Sequence, residues 1–336
     1  MVGSQISLLL NRSKKEFSGL QLSAVGNLAN KMDGVQVSTT FNVAQQFDGI
    51  QVGASLNLVT DKSNGLQIGS VNIATDSLIG VQVGAVNAAN TVNTQIGTLN
   101  GANNSFLQIS TMNIAKNVEL QIATLNWAQK LTTLQVGIIN YARKDYGRSI
   151  GLINICPYCE KTPIGLISIV GNGVWSFSTS IDETGSFLGN LRLGTAYFYT
   201  TFEASRPFDF SEREFDKGMR SGLGFGTQFG TYGTHFDLDF MTLLDYTSWS
   251  PSRIGSFDMD MDHSFNIFHR LRFGATFQVF KGFGLMGGVS GNVVSEGSRV
   301  RVHANPRGEY HAEWDIAGRK VRIWPGLYAG LIIGRF

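Results

Sequence analysis

Three groups of residues in this chain are of types that could do chemistry. Cys156-Pro157-Tyr158-Cys159 has the spacing of a redox pair, which works when a helix N-terminus lowers the thiol pKa. Asp258, Asp260 and Asp262 could hold a metal. Asp33, Asp48, Asp61 and Asp76 recur at near-regular intervals, as ligands in a calcium-binding repeat would.

None of the three is carried through by its surroundings. The cysteine pair follows Ile153-Asn154-Ile155 with no helical pattern behind it. A structural loop closed by a disulfide suits it better than redox or four-ligand zinc chemistry. The aspartate run alternates with Phe257, Met259 and Met261, and His263 falls on the opposite parity, as on a solvated strand edge or a lumen face. The four repeated aspartates stand next to Gly, Lys or Ser in connections, which is turn chemistry, and glycine-rich calcium-binding nonapeptides are absent. No catalytic residue, cofactor site or metal site is expected.

The feature that must position everything else is a repeat. Gln21, Gln36, Gln51, Gln67, Gln82, Gln95, Gln108, Gln121 and Gln135 are each followed five or six residues later by Asn27, Asn42, Asn57, Asn72, Asn87, Asn100, Asn113, Asn126 and Asn140. Asn154 continues the row, and the asparagine spacing is 15, then 13, then 14. So short a period describes a stack of near-identical units. In Leu66-Gln67-Ile68-Gly69-Ser70-Val71-Asn72-Ile73-Ala74 the apolar residues alternate, but the parity flips between the pairs. A strand that turns a corner at Gly-Ser satisfies this, and a straight one needs a bulge. Leu78, Val92, Val118 and Leu131 supply a further apolar position. The expected element is a β-solenoid with the apolar residues inward, about 50 Å long for eleven coils at about 4.8 Å each. Its amides would stack in ladders that satisfy corners and backbone, or else form a flat polar face for a glycan.

From Val174 the pattern changes to long alternating strands. Eight are expected, at 174–183, 187–200, 220–230, 234–247, 264–280, 283–294, 298–304 and 321–336. Their length, aromatic-rich outer face and polar inner face fit an outer-membrane barrel. Arg192, Asp237, Asp239, Arg270 and Arg272 would face a filled lumen as pairing charges. Ser205–Lys217 and Asn305–Lys320 read as extracellular loops.

The fold class expected is all-β, in three parts: a lead-in at 1–18, a parallel solenoid over 19–170, and an antiparallel barrel over 171–336. The final strand carries Trp324, Tyr328 and Phe336 on one face. A terminal aromatic there resembles the signal that delivers bacterial outer-membrane proteins to their assembly machinery. With 15% charged residues and a net charge of +2, nothing points to nucleic acid. Met1 to Leu10 lacks the features of a signal peptide, so export requires one removed from this chain.

Gly65-Leu66-Gln67-Ile68-Gly69-Ser70-Val71-Asn72-Ile73-Ala74 and the copy Gly80 to Ala89 give the pattern Gly-x-Gln-x-Gly-x-x-Asn-x-Ala. It resembles a group of uncharacterised surface-repeat proteins of Gram-negative bacteria, common in Bacteroidetes and also found in spirochaetes. Pro163 to Val170 looks like that family's closing coil, and the strand-rich tail is similar too. The leading Gly is missing before Gln95, Gln108 and Gln121. The resemblance implies secretion and residence in the cell envelope, with membrane lipid and assembly machinery as partners and a glycan or envelope protein as a further one. A non-catalytic envelope rod on a membrane barrel is therefore expected; the rivals are one large channel that includes the repeats, and a soluble adhesin.

Overall fold

A computed structural model describes residues 1–207, 219–231, 233–246, 266–295, 312–316 and 319–336. The chain divides into two compact units, Met1–Leu166 and Ile167–Phe336. No helix occurs among the described residues.

The first unit is the parallel β-solenoid. Strands β1 (Val2–Ser7), β2 (Leu10–Ser23), β3 (Gly26–Ser38) and β4 (Phe41–Val59) lead into β5, an extended run from Ser63 to Asp145 that winds on from coil to coil. Then come β6 (Arg148–Cys156) and the two-residue β7 (Tyr158–Cys159), and β8 (Ile167–Val170) follows at the start of the second unit. Pairing is parallel and keeps like residues in register: Gln36 faces Gln51, Asn57 faces Asn72, and Asn140 faces Asn154. Copies of the repeat do not pair as hairpins, which removes the basis of the large-channel reading for this segment.

The stack starts earlier than the repeat suggested. Within the expected lead-in, β1 lies parallel to β2 with Gln5 opposite Gln21, and Asn11 stands opposite Asn27. Gln5 and Asn11 have the same six-residue spacing as Gln21 and Asn27, so 1–18 carries a coil of its own.

The expected orientation of the coil is reversed. Gln67, Gln95 and Gln121 are fully buried, whereas Ile68, Ile96 and Ile122 are 38%, 41% and 40% exposed. The residues on either side of each Gln and Asn point outward, and the amides point inward. Period-two alternation separates two faces without saying which is inside; burial of apolar residues was the assumption, and it holds only in water. Here the interior consists of four columns. Two are the Gln and Asn columns. The third is alanine-rich, with Ala29, Ala44, Ala74, Ala115, Ala128 and Ala142. The fourth includes Phe17, Met32, Phe47, Leu78, Val92, Val118 and Leu131. Leu78, Val92, Val118 and Leu131 are thus inward as expected.

Glycine sets the coil-to-coil distance where the period is longest. Gly49 has φ 137°, and a Cβ there would lie 1.9 Å from the Gly34 carbonyl oxygen of the preceding coil. Only glycine satisfies both conditions.

The second unit is an antiparallel barrel. Its strands are β9 (Val174–Asp182), β10 (Ser186–Gly194), β11 (Tyr199–Pro207), β12 (Met219–Thr231), β13 (Thr234–Tyr246), β14 (Asn266–Phe280) and β15 (Phe283–Ser295). The short β16 (Ala312–Ile316) pairs with β17 (Arg319–Arg335) beside the ring, and β17 pairs with both β15 and β9. Eight strands therefore close on one another with no open edge.

The strand expected at 187–200 is two strands. The chain reverses at Thr195–Phe198, where the two residues exchange backbone hydrogen bonds of 2.9 and 3.2 Å. Alternation persists through that turn, so the residue pattern alone does not mark it, and β11 takes in Ser205–Pro207 of the expected loop. The strand expected at 298–304 lies outside the described residues, as do most of both expected loops.

Candidate functional site

The amide columns are built as ladders. Asn27 donates to the Oδ1 of Asn42 at 2.8 Å, Asn42 to Asn57 at 2.9 Å, Asn57 to Asn72 at 2.8 Å and Asn72 to Asn87 at 2.8 Å. The row continues through Asn100, Asn113, Asn126 and Asn140 to Asn154. Each of these asparagines uses its second N–H on a backbone carbonyl of the next coil, as Asn57 does on Ile68 at 2.7 Å. The bond ties the second strand of one coil to the first strand of the next.

Glutamine donates the other way. Gln51 gives its proton to Gln36 at 2.8 Å, Gln67 to Gln51 at 2.9 Å, Gln82 to Gln67 at 2.8 Å and Gln95 to Gln82 at 2.8 Å. Gln108, Gln121 and Gln135 follow suit. The two rows of amide dipoles are therefore antiparallel and their fields oppose. Each amide of the two columns is buried and has partners along its column, and no flat Gln/Asn face is left for a glycan.

The glutamine column ends at Ser149, whose hydroxyl lies 2.8 Å from Asp145 Oδ2 and 3.3 Å from Gln135 Oε1. Asp145 stands in the fourth interior column, and burial pushes its carboxyl above the ordinary carboxylate pKa despite the Ser149 hydrogen bond. Its ligand atoms are close to those of Cys156 and Cys159, which are joined in a disulfide. That bond staples the third interior column to the fourth in the final coil and occupies both sulfurs.

The barrel lumen holds a second constellation. Arg192 pairs with Asp237 at 3.2 Å and with Asp239 at 2.9 Å. Arg272 pairs with Asp239 at 3.0 Å and with Glu203 at 3.2 Å. Arg270 pairs with Glu203 at 3.1 Å and with Asp182 at 2.8 Å. Tyr199 donates its hydroxyl to Asp239 at 2.6 Å. Arg220 and Arg270 hold their guanidinium groups 5.1 and 4.9 Å from the Phe268 ring centre, on which they gain cation–π attraction. All four arginines are buried.

Strand alternation places these charges, and small residues make room for them. A Cβ on Gly226 would fall 2.2 Å from Asp239 Oδ1, and one on Gly274 would fall 2.0 Å from the Tyr328 hydroxyl. All five lumen charges expected from sequence are here. Asp182, Glu203 and Arg220 were not foreseen; Glu203 lay in the stretch joined to a loop, although its alternation with Phe202 and Ala204 was there to be read. Tyr328 lies under the Arg272 guanidinium at 5.2 Å, and Phe336 packs beside Tyr328 and Ile332 on the same inward face. Asp258, Asp260, Asp262 and His263 lie outside the described residues.

Fold and site together define an all-β chain: a solenoid with amide columns inside, and an eight-stranded barrel whose interior is bridged by a charge network. No family model matches the chain, and no curated protein sequence matches it. One similar solved structure is the N-terminal β-barrel domain of Pseudomonas aeruginosa OprF, at 11% identity, covering 47% of this chain and 95% of that one with a TM-score of 0.29. A score that low carries no functional weight.

Proposed function

We propose that this chain is a non-catalytic protein of the Gram-negative cell envelope, held in the outer membrane by its barrel and building a solenoid rod. The observation that carries the reading is the partition of the barrel's side chains. Outward positions carry large apolar side chains on β9, β10, β12, β13, β14, β15 and β17, among them Trp175, Phe187, Leu223, Phe240, Leu271, Phe273, Phe277, Leu285 and Leu327. Inward positions carry the charges. On β14 the outward run from Leu271 to Val279 rises roughly 20–25 Å along a tilted strand, close to the apolar band of membrane barrels.

The lumen network argues for an anchor over a pore. Arg192, Arg270 and Arg272 pair with carboxylates across the interior, and Arg220 lies on Ser186 and the Phe268 ring, leaving charges paired where a channel would keep them wet. The resemblance of the repeat to Gram-negative surface-repeat proteins points to the same compartment.

Reconstitution in planar bilayers tests this reading. The protein should show heat-shifted gel mobility, the mark of a folded membrane barrel, and no steady conductance. Stable conductance steps of a large pore would overturn the anchor reading, and detergent-free solubility of the folded chain would overturn the membrane reading itself.

A further inference from the structure

Every coil from Gln21 to Asn140 presents four outward flanking positions, two beside the Gln and two beside the Asn. They are filled by Leu, Ile, Val, Met, Phe, Ala, Gly, Trp and Tyr, with Thr94 the one exception, and none carries a charge. The ridge where the two strands meet is also uncharged: Gly69-Ser70, Gly84-Ala85, Gly97-Thr98, Ser110-Thr111 and Ala123-Thr124. The third side of the coil is different. It exposes Lys31, Asp48, Asp61, Lys116, Glu119, Lys130 and Lys144, with Ile79 and Phe106 as apolar exceptions.

We infer that the two apolar sides and the ridge between them are embedded in one leaflet of a lipid bilayer, with the solenoid axis in the membrane plane and the charged side in water. The solenoid would be the sheet counterpart of an interfacial amphipathic helix. Nine coils at about 4.8 Å, with two sides each some 13 Å wide, give an apolar surface on the order of 1,000 Å². That is larger than the few hundred Å² that soluble monomers leave uncovered.

Three observations select acyl chains as the occupant. First, the apolar surface faces two directions about a ridge. A two-fold contact between copies covers one patch and leaves the other side wet, whereas lipid covers both. Second, amides are satisfied inside by the ladders and along the backbone by parallel pairing, which is the condition for placing peptide in hydrocarbon. Third, charges stand on the third side towards both ends, from Lys31 to Asp76 and from Lys116 to Lys144, and the uncharged coils between Ser77 and Ala115 rise only about 14 Å, against a hydrocarbon core of about 30 Å. An axis crossing the bilayer would drag them through its core, so the axis must lie flat. The inference extends the membrane reading of the barrel but has its own evidence.

The test uses the unmodified full chain in phosphatidylethanolamine–phosphatidylglycerol vesicles doped with a phosphatidylcholine whose acyl chain bears a diazirine. Photolysis followed by peptide mass spectrometry should place carbene adducts at Ile68, Ile96, Ile122 and their neighbours and on barrel residues such as Leu271. Peptide positions at Lys116–Glu119 and Lys130 should carry at least tenfold fewer. Adducts on the barrel with none on the solenoid sides would overturn the inference while leaving the anchor intact. Adducts on the solenoid with none on the barrel would sink the anchor reading and leave the inference standing. Unlabelled sides that cross-link between copies would assign the surface to a second copy and overturn it.

Discussion

Asp239→Ala should lower the unfolding free energy of the barrel by about 3–5 kcal/mol, the largest loss expected from any lumen substitution. Asp239 accepts hydrogen bonds from Arg192 at 2.9 Å, Arg272 at 3.0 Å and Tyr199 at 2.6 Å. Removing it takes one of two carboxylates from each of two guanidinium groups that are 1% exposed, leaving Asp237 and Glu203 to carry them, and costs far more than one surface ion pair is worth. The deficit arises from the charges left behind, so Asp239→Asn, which keeps an acceptor for Tyr199, should recover part of it. Urea titration in detergent, followed by gel mobility of the unheated protein, measures both. If the alanine variant matched the native midpoint, the lumen charges would have to be hydrated, and the closed-barrel account would fail.

Asn100→Leu should cost the solenoid about 3–6 kcal/mol, although leucine is close in size. Asn100 sits in mid-ladder. It donates to Ile109 O at 3.0 Å and to Asn113 Oδ1 at 3.1 Å, and it accepts from Asn87 at 2.8 Å. Leucine removes these bonds together, and although Asn113 keeps Ser110 and Asn87 keeps Ile96, each partner is left one bond short, at about 1–3 kcal/mol each. By contrast, Leu99→Asn on the adjoining outward position breaks no hydrogen bond. Its effect should fall on lipid association, with little change in the stack. Denaturant unfolding of the two variants side by side separates inside from outside. Equal losses would mean that the coil has no such polarity.

Much of this architecture was legible in the sequence, because repeated residues at a fixed period must stack and alternating residues must form strands. The parallel coils followed from Gln67 and Asn72 recurring in step with a parity flip at Gly69-Ser70. The barrel and five of its lumen charges followed from alternation over β10, β13 and β14. The sidedness of the coil did not follow. Leu66 and Gln67 alternate whichever faces in, and the decision rests on whether the amides can satisfy one another across coils, a property of the stack and not of the repeat. The turn at Thr195–Phe198 was hidden because its ends keep the alternation going. Gln5 and Asn11 were legible and overlooked, since the residues around them are more polar than in later copies.

The reversed solenoid has a thermodynamic logic. Two columns of carboxamides, each group donating along the stack and the asparagines also bonding the backbone, remove polarity from the outer surface and pair it within. Outward aliphatic side chains are then costly in water and favourable in hydrocarbon. Sequence, packing and placement point the same way.

Side-chain amide exchange, followed by NMR on chain labelled with nitrogen-15 at Gln and Asn and held in lipid nanodiscs, tests the central claim most directly. The ladder NH₂ protons should exchange orders of magnitude more slowly than those of a free carboxamide, on the timescale of the core backbone amides. Exchange of the ladder residues at the free-amide rate would put them in water and turn the coil right side out.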